Sequence, residues 1–198
     1  MISAVDALER LREGNRRFAS GSGGRNISGT QANRAELTAG QNPFAIVLAC
    51  SDSRVPVEMV FDQGLGDLFV IRVAGNVVAP SQVGSVEFAA AQLGTKLVVV
   101  LGHSNCGAVD ATLKELAADQ EVRSPNLRAI VDRIRPAIES LGDGEIGLHD
   151  AVVANVHQSV GRLQHGSLII EQLLESGELT IVGANYSIES GEVEFLDD

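Results

Sequence analysis

The chain has 198 residues, of which 44% are hydrophobic and 21% are charged, a length and balance that fit one compact globular domain. Acidic residues outnumber basic residues by 26 to 15, so the formal net charge is −11. Phosphate backbones and anionic lipids would repel such a surface, and we therefore expect no nucleic-acid partner.

The amino terminus lacks a basic segment followed by a long apolar segment, so we do not expect a secretory signal. The longest apolar runs are also far too short to cross a bilayer. Two cysteines without such a signal favour thiols or metal ligands in a reducing compartment. We therefore expect a cytoplasmic protein with no membrane partner.

The chain begins with a pattern that predicts an amphipathic helix over residues 4–19, because apolar side chains recur at spacings near three and four. Serines and glycines at 20–24 interrupt this pattern, and a second short helix is expected over residues 30–39. We interpret residues 1–40 as an N-terminal helical arm of a single domain covering residues 1–198. We expect the first helix to be detachable from the main body.

Apolar runs of strand length recur along the chain without the alternation typical of a half-exposed strand. They cover residues 44–49, 68–73, 96–101 and 179–183. Such runs fit a parallel sheet that is buried on both faces. The tail over residues 186–196, with Gly191 at its turn, predicts a short edge hairpin.

Helical patterns separate these strands. They cover residues 84–93, 108–118, 127–141 and 148–174, the last one broken near Gly166. Strands that alternate with helices indicate an α/β fold, with a central, mostly parallel sheet flanked by helices. In such folds, ligands bind outside the carboxyl ends of the strands.

Both cysteines lie near predicted strand ends. Cys50 ends the first apolar run, and His103 and Cys106 follow the third, at a turn that leads into a helix. Two thiolates and one imidazole form a soft ligand set that suits Zn²⁺, and three protein ligands leave one tetrahedral position open, as in catalytic zinc sites. The alternative is two buried free cysteines and an unrelated histidine, but the joint spacing favours zinc.

Asp52 and Arg54 lie beside the first cysteine. A carboxylate that accepts a hydrogen bond from a metal-bound water would help to acidify it, whereas an ionised aspartate could instead bind zinc and fill the open position. A bidentate pair with Arg54 would hold Asp52 off the metal. The alternative for the two residues is an ordinary structural salt bridge.

These motifs make the chain resemble the β-class carbonic anhydrases, most specifically in residues 50–54, 103–107 and 67–76. The resemblance implies zinc-dependent reversible hydration of carbon dioxide to bicarbonate and a proton, by attack of zinc-bound hydroxide, with one Zn²⁺ per subunit. It also implies four parallel strands plus an antiparallel edge strand, in a homodimer or homotetramer.

The resemblance further assigns roles to single residues. Cys50, His103 and Cys106 match the zinc ligands, and Asp52 with Arg54 matches the catalytic dyad. In a closed, inactive form, Asp52 would itself bind the metal.

Three more residues match substrate-binding positions of that family. Gln41 matches a glutamine that hydrogen-bonds the substrate from the partner subunit, Phe69 matches an apolar wall of the carbon dioxide pocket, and the Gly107 amide is similarly placed to bind a substrate oxygen. The alternatives are a surface loop for Gln41 and core packing for Phe69.

Two other functions stay open on the sequence alone. Relatives with the same zinc motif hydrolyse carbonyl sulfide or carbon disulfide, which are similar in shape to carbon dioxide. A non-catalytic zinc-stabilised sensor or scaffold would have a closed fourth metal position.

Overall fold

The computed structural model describes residues 2–24, 37–118, 124–142 and 144–196, which form a helix-flanked sheet. Its strands are β1 (Ala45–Ala49), β2 (Leu68–Arg72), β3 (Leu97–His103), β4 (Thr180–Tyr186) and β5 (Val193–Phe195). They lie in the order β2-β1-β3-β4-β5, in which the first four are parallel and β5 is antiparallel to β4. The predicted α/β fold with an antiparallel edge strand is confirmed.

The central strands carry no polar–apolar alternation because both of their faces are covered. Every residue of β1 and β3 is buried. Alternate side chains of β1 enter different cores: Val47 belongs to one hydrophobic cluster, and Ile46 and Leu48 belong to the cluster on the opposite face. Such two-sided burial is typical of parallel sheets.

Seven α-helices are described around this sheet. They are α1 (Ala4–Ala19), α2 (Val57–Val60), α3 (Pro80–Glu87), α4 (Gly107–Ala118), α5 (Pro125–Glu139), α6 (Leu148–Gln164) and α7 (Leu168–Glu175), and a π-helical turn, Phe88–Gln92, extends α3. The predicted break near Gly166 separates α6 from α7. The helix expected over residues 30–39 lies, except for its last three residues, outside the described residues. Among the described helices, none has the length and apolar character needed to cross a membrane.

Helix α1 packs against the core of its own chain. Ala7 and Leu11 are fully buried in the cluster beneath it. The buried Asn15 side chain donates hydrogen bonds to the carbonyl groups of Val60 and Gly191, at 3.1 and 2.9 Å. The expectation of a detachable first helix is therefore wrong for this chain, because both polar and apolar contacts attach it.

The strand order brings the two predicted half-sites together. Strands β1 and β3 are neighbours, and their register places Ala49 opposite Leu101. The residues that follow each position therefore emerge at the same edge of the sheet. That edge is the carboxyl end of the parallel strands, where α/β folds place their sites.

Candidate metal centre

Cys50, His103 and Cys106 converge at the carboxyl ends of β1 and β3. Their ligand atoms all lie within 4.8 Å of one another, and the two sulfur atoms are 4.0 Å apart. A tetrahedral zinc ion with bonds of ~2.3 Å to sulfur needs about 3.8 Å between two thiolates. The spacing of these three buried side chains therefore fits one zinc ion.

The orientation of His103 supports the same assignment. Its Nδ1 lies 2.9 Å from the carbonyl oxygen of Ser104, which favours the tautomer protonated at Nδ1. The ring is fully buried, and Nε2 has no hydrogen-bond partner among the described residues. An unpaired buried nitrogen is unfavourable unless something binds it, and a neutral imidazole nitrogen beside two sulfur atoms suits a metal ion.

The two thiols differ in acidity because they are adjacent. A hydrogen bond from Cys106, together with contributions from His103 and the Gly75 amide, lowers the pKa of Cys50 despite burial. The hydrogen bond to Cys50, burial and the negative charge on Cys50 raise the pKa of Cys106. Zinc binds thiolates, so metal binding would release any proton that the pair holds.

Asp52 and Arg54 form the predicted bidentate ion pair. Asp52 Oδ2 accepts a hydrogen bond from an Arg54 terminal nitrogen at 2.7 Å, and Oδ1 accepts from Arg54 Nε at 3.0 Å. This pairing holds the pKa of Asp52 well below its usual range and raises the pKa of Arg54. Oδ2 lies 3.9 Å from His103 Nε2, so an ionised carboxylate stands next to the ligand set.

Arg72 and Gly75 hold the segment that carries Cys50 and Asp52, which we call the ligand loop (residues 50–54). Arg72, the last residue of β2, donates hydrogen bonds to the carbonyl groups of Cys50 and Asp52, at 3.0 and 2.6 Å. The Gly75 amide donates to Cys50 Sγ at 3.3 Å. Sequence reasoning missed both residues. Both residues belong to the segment 67–76, which lies beside β1. This adjacency would have identified them, but it is visible only once the strand order is known.

Gly75 occupies a position that a side chain would disturb. Its φ is +69°, and an added Cβ would lie 2.8 Å from Ile134 Cδ1 and 3.1 Å from Ala108 Cβ. Its carbonyl oxygen accepts a hydrogen bond from the buried Asn155 side chain at 2.8 Å. Glycine is therefore required here by both conformation and space.

We predict that Gly75→Ala lowers the free energy of unfolding by about 2 kcal/mol, because of the left-handed conformation and the close contacts. The matched control is Gly84→Ala in α3, where no atom lies within 4 Å of the added Cβ. We expect that control to raise the free energy of unfolding by about 0.5–1 kcal/mol. Urea unfolding followed by circular dichroism measures both changes. Equal effects of the two substitutions would contradict the role given to Gly75.

The structure separates the three substrate-binding candidates. Gly107 is the first residue of α4, directly after Cys106, and open space lies where its side chain would be. Gln41 is exposed before β1, at the opposite edge of the sheet, and β1 alone spans about 16 Å. Phe69 pairs with Ile46, about 13 Å along the sheet from Cys50. Within one chain, only Gly107 therefore lies beside the metal centre.

Comparison with known proteins gives consistent matches. Residues 45–193 match the family described as carbonic anhydrase. Carbonic anhydrase 2 of Mycobacterium tuberculosis (strain CDC 1551 / Oshkosh) is 40% identical over 98% of this chain and 93% of that protein. The carbonic anhydrase of Mycolicibacterium smegmatis is 43% identical over 96% of this chain and 92% of that protein. Among solved structures, the β-carbonic anhydrase CcaA superposes with a TM-score of 0.73 at 30% identity, covering 96% of this chain and 95% of that one.

Proposed function

The chain belongs to the β-class carbonic anhydrase family, and we propose that its metal centre catalyses the reversible hydration of carbon dioxide to bicarbonate and a proton. The observation that carries this proposal is the buried Cys50–His103–Cys106 cluster, with Asp52 held beside it by Arg54. Zinc bound to this cluster would act as a Lewis acid that lowers the pKa of a water ligand.

The surrounding residues supply the rest of the chemistry. Asp52 stays ionised, so Oδ2 can accept a hydrogen bond from the attacking water and orient it. The Gly107 amide lies at the start of α4, where the helix dipole favours negative charge, and in this proposal it donates a hydrogen bond to a developing oxyanion. The open space at Gly107 admits a small molecule. Carbon dioxide is small enough to enter such a space.

The comparisons favour this activity over the two alternatives raised by the sequence. The matching relatives are named carbonic anhydrases and are similar along nearly the whole chain. A scaffold would need no ionised carboxylate held 3.9 Å from a ligand nitrogen.

Stopped-flow hydration of carbon dioxide, with zinc content measured on the same sample, tests the proposal. We expect rapid hydration in proportion to bound zinc, loss of activity after chelation and recovery on adding Zn²⁺. Carbonyl sulfide is the control substrate, with hydrogen sulfide release as the readout. Fast hydrogen sulfide release with negligible carbon dioxide hydration would overturn our choice.

We propose that the chain acts as a homo-oligomer built on a dimer, with β2 at the dimer contact. Strand β2 is an edge strand of the described sheet, and Leu68, Phe69 and Val70 are only partly buried. The Phe69 ring packs 6.2 Å from the ring of Phe88, which is 48% exposed. An exposed apolar edge strand tends to pair with another chain, and a second copy would cover it.

Such a dimer would also complete the site. If a two-fold axis runs perpendicular to β2, the two β2 strands are antiparallel, and the amino end of one lies near the carboxyl end of the other. Gln41 and Phe69 lie toward the amino end of the sheet, whereas the metal centre lies at the carboxyl end. We therefore propose that both residues serve the metal centre of the partner copy.

Mixed dimers test this arrangement. Gln41→Ala and Arg54→Ala should each reduce carbon dioxide hydration when assembled alone. In a mixed dimer, the Gln41→Ala subunit keeps Arg54 and receives Gln41 from its partner, so one site is complete. Random reassembly of equal amounts should restore about a quarter of the wild-type rate. No recovery above the separate variants would contradict a role for Gln41 across the interface.

We also propose a cytoplasmic location. The two cysteine sulfur atoms are 4.0 Å apart, so an oxidising compartment would favour a disulfide and abolish the ligand pair. Cell fractionation with zinc analysis of the purified protein tests this location. Recovery of the protein from an extracellular fraction would contradict it.

A further inference from the structure

The ligand loop leaves the sheet with few neighbouring backbone partners. The loop begins directly after the last residue pair between β1 and β2, which is Ala49 with Arg72. Beyond that pair, the Ser51 amide reaches the Val73 carbonyl at 3.3 Å, whereas the bond from the Val55 amide to the Asp52 carbonyl, at 3.0 Å, lies within the turn itself and does not attach it to the sheet. A short loop without further support would allow the backbone of Asp52 to move relative to the metal centre.

Arg72 supplies that support from the neighbouring strand. Its Nε donates to the Cys50 carbonyl at 3.0 Å, and a terminal nitrogen donates to the Asp52 carbonyl at 2.6 Å. One guanidinium thus bridges two carbonyl groups, one on a ligand residue and one on the residue that carries the carboxylate. The planar, rigid fork of arginine fixes both groups relative to each other.

The position of Asp52 makes this support important for chemistry. Two nitrogen or oxygen ligands bonded at ~2.0–2.1 Å to a tetrahedral zinc ion lie about 3.3 Å apart. Oδ2 lies 3.9 Å from His103 Nε2, so a displacement of about 0.5–1 Å would bring the carboxylate within bonding distance of a zinc ion held by that nitrogen. Arg54 restrains the side chain of Asp52, whereas Arg72 restrains its backbone. The two arginines therefore act on different atoms of the same residue.

We propose that Arg72 is a positioning residue that fixes the ligand loop and so keeps the Asp52 carboxylate off the fourth coordination position of the metal. This inference rests on the proposed zinc chemistry. Arg72 acts through Asp52, so its effect depends on the carboxylate being present. A purely structural or purely electrostatic role of Arg72 would not depend on Asp52.

A double-mutant cycle in the cobalt(II)-substituted protein tests this dependence, with azide as a probe of the open position. Azide binding is read from the cobalt visible spectrum. We expect Arg72→Met to retain stoichiometric cobalt while azide affinity falls about tenfold, and zinc-loaded Arg72→Met to lose about tenfold in kcat. In the Asp52→Asn background, the same Arg72→Met change should alter azide affinity by less than about twofold.

Arg133→Met is the matched control, because Arg133 donates to the Ala129 carbonyl on α5, within one helix. It should leave azide affinity and kcat unchanged. Any of three results would overturn the proposal. They are an equal loss of azide affinity from Arg72→Met in the parent and the Asp52→Asn protein, unchanged azide affinity, and loss of cobalt in both proteins. If the parent protein binds cobalt and azide but does not hydrate carbon dioxide, the proposed function fails while the cycle still tests Arg72.

Discussion

Replacing Cys106 with alanine is expected to remove zinc and activity together. Cys106 is 1% exposed, and its sulfur is one of only two thiolates in the cluster. The binding free energy of a four-ligand zinc site reaches ~16 kcal/mol. If the four ligands share it equally, one ligand contributes roughly 4 kcal/mol, or about 10³-fold in affinity. The remaining thiolate and imidazole would not retain the ion through purification.

The measurement combines zinc analysis by atomic emission with stopped-flow hydration on the same sample. Val109→Ala is the matched control, since Val109 is fully buried in the first turn of α4 and also loses side-chain volume. We expect this control to lose stability but to keep one zinc ion per subunit. Stoichiometric zinc in Cys106→Ala would contradict the ligand assignment.

The parts of the molecule that follow from local pattern were predictable. Continuous apolar runs identified the buried strands, and the strand-helix alternation gave the α/β class. The same alternation placed Cys50 and His103 at strand ends, and the structure confirms that these residues meet. The Asp52–Arg54 pair followed from its two-residue spacing, because both partners lie on one short loop.

The missed features depend on which elements become neighbours. Arg72 and Gly75 act on the ligand loop only because β2 lies beside β1, an adjacency that no residue spacing reveals. Helix α1 looked detachable because glycines follow it. The buried Asn15 nevertheless attaches it through hydrogen bonds to Val60 and Gly191, which lie 45 and 176 positions further along the chain. Residue-by-residue patterns do not report such long-range contacts.

Replacing Arg54 with alanine is expected to leave zinc in place and to lower turnover strongly. The substitution removes two side-chain hydrogen bonds to the Asp52 carboxylate, at 2.7 and 3.0 Å, but changes no metal ligand. The carboxylate keeps the hydrogen bond from the backbone amide of residue 54 to Oδ1, at 2.9 Å. Oδ2 loses its partner, lies 3.9 Å from His103 Nε2 and would swing toward the metal position. We expect a loss of about 10²-fold in kcat/KM, equivalent to about 3 kcal/mol of transition-state stabilisation.

Arg54→Lys should recover only part of this loss, because one ammonium group does not reproduce the bidentate geometry of a guanidinium. Arg16→Ala is the matched control, since it removes an exposed ion pair with Glu9 on α1, at 2.8 Å, and should not affect turnover. Zinc analysis of all three variants separates metal loss from loss of chemistry. If Arg54→Ala kept full zinc and full turnover, the bidentate pair would be an ordinary salt bridge, because Asp52 would then need no restraint to stay off the metal.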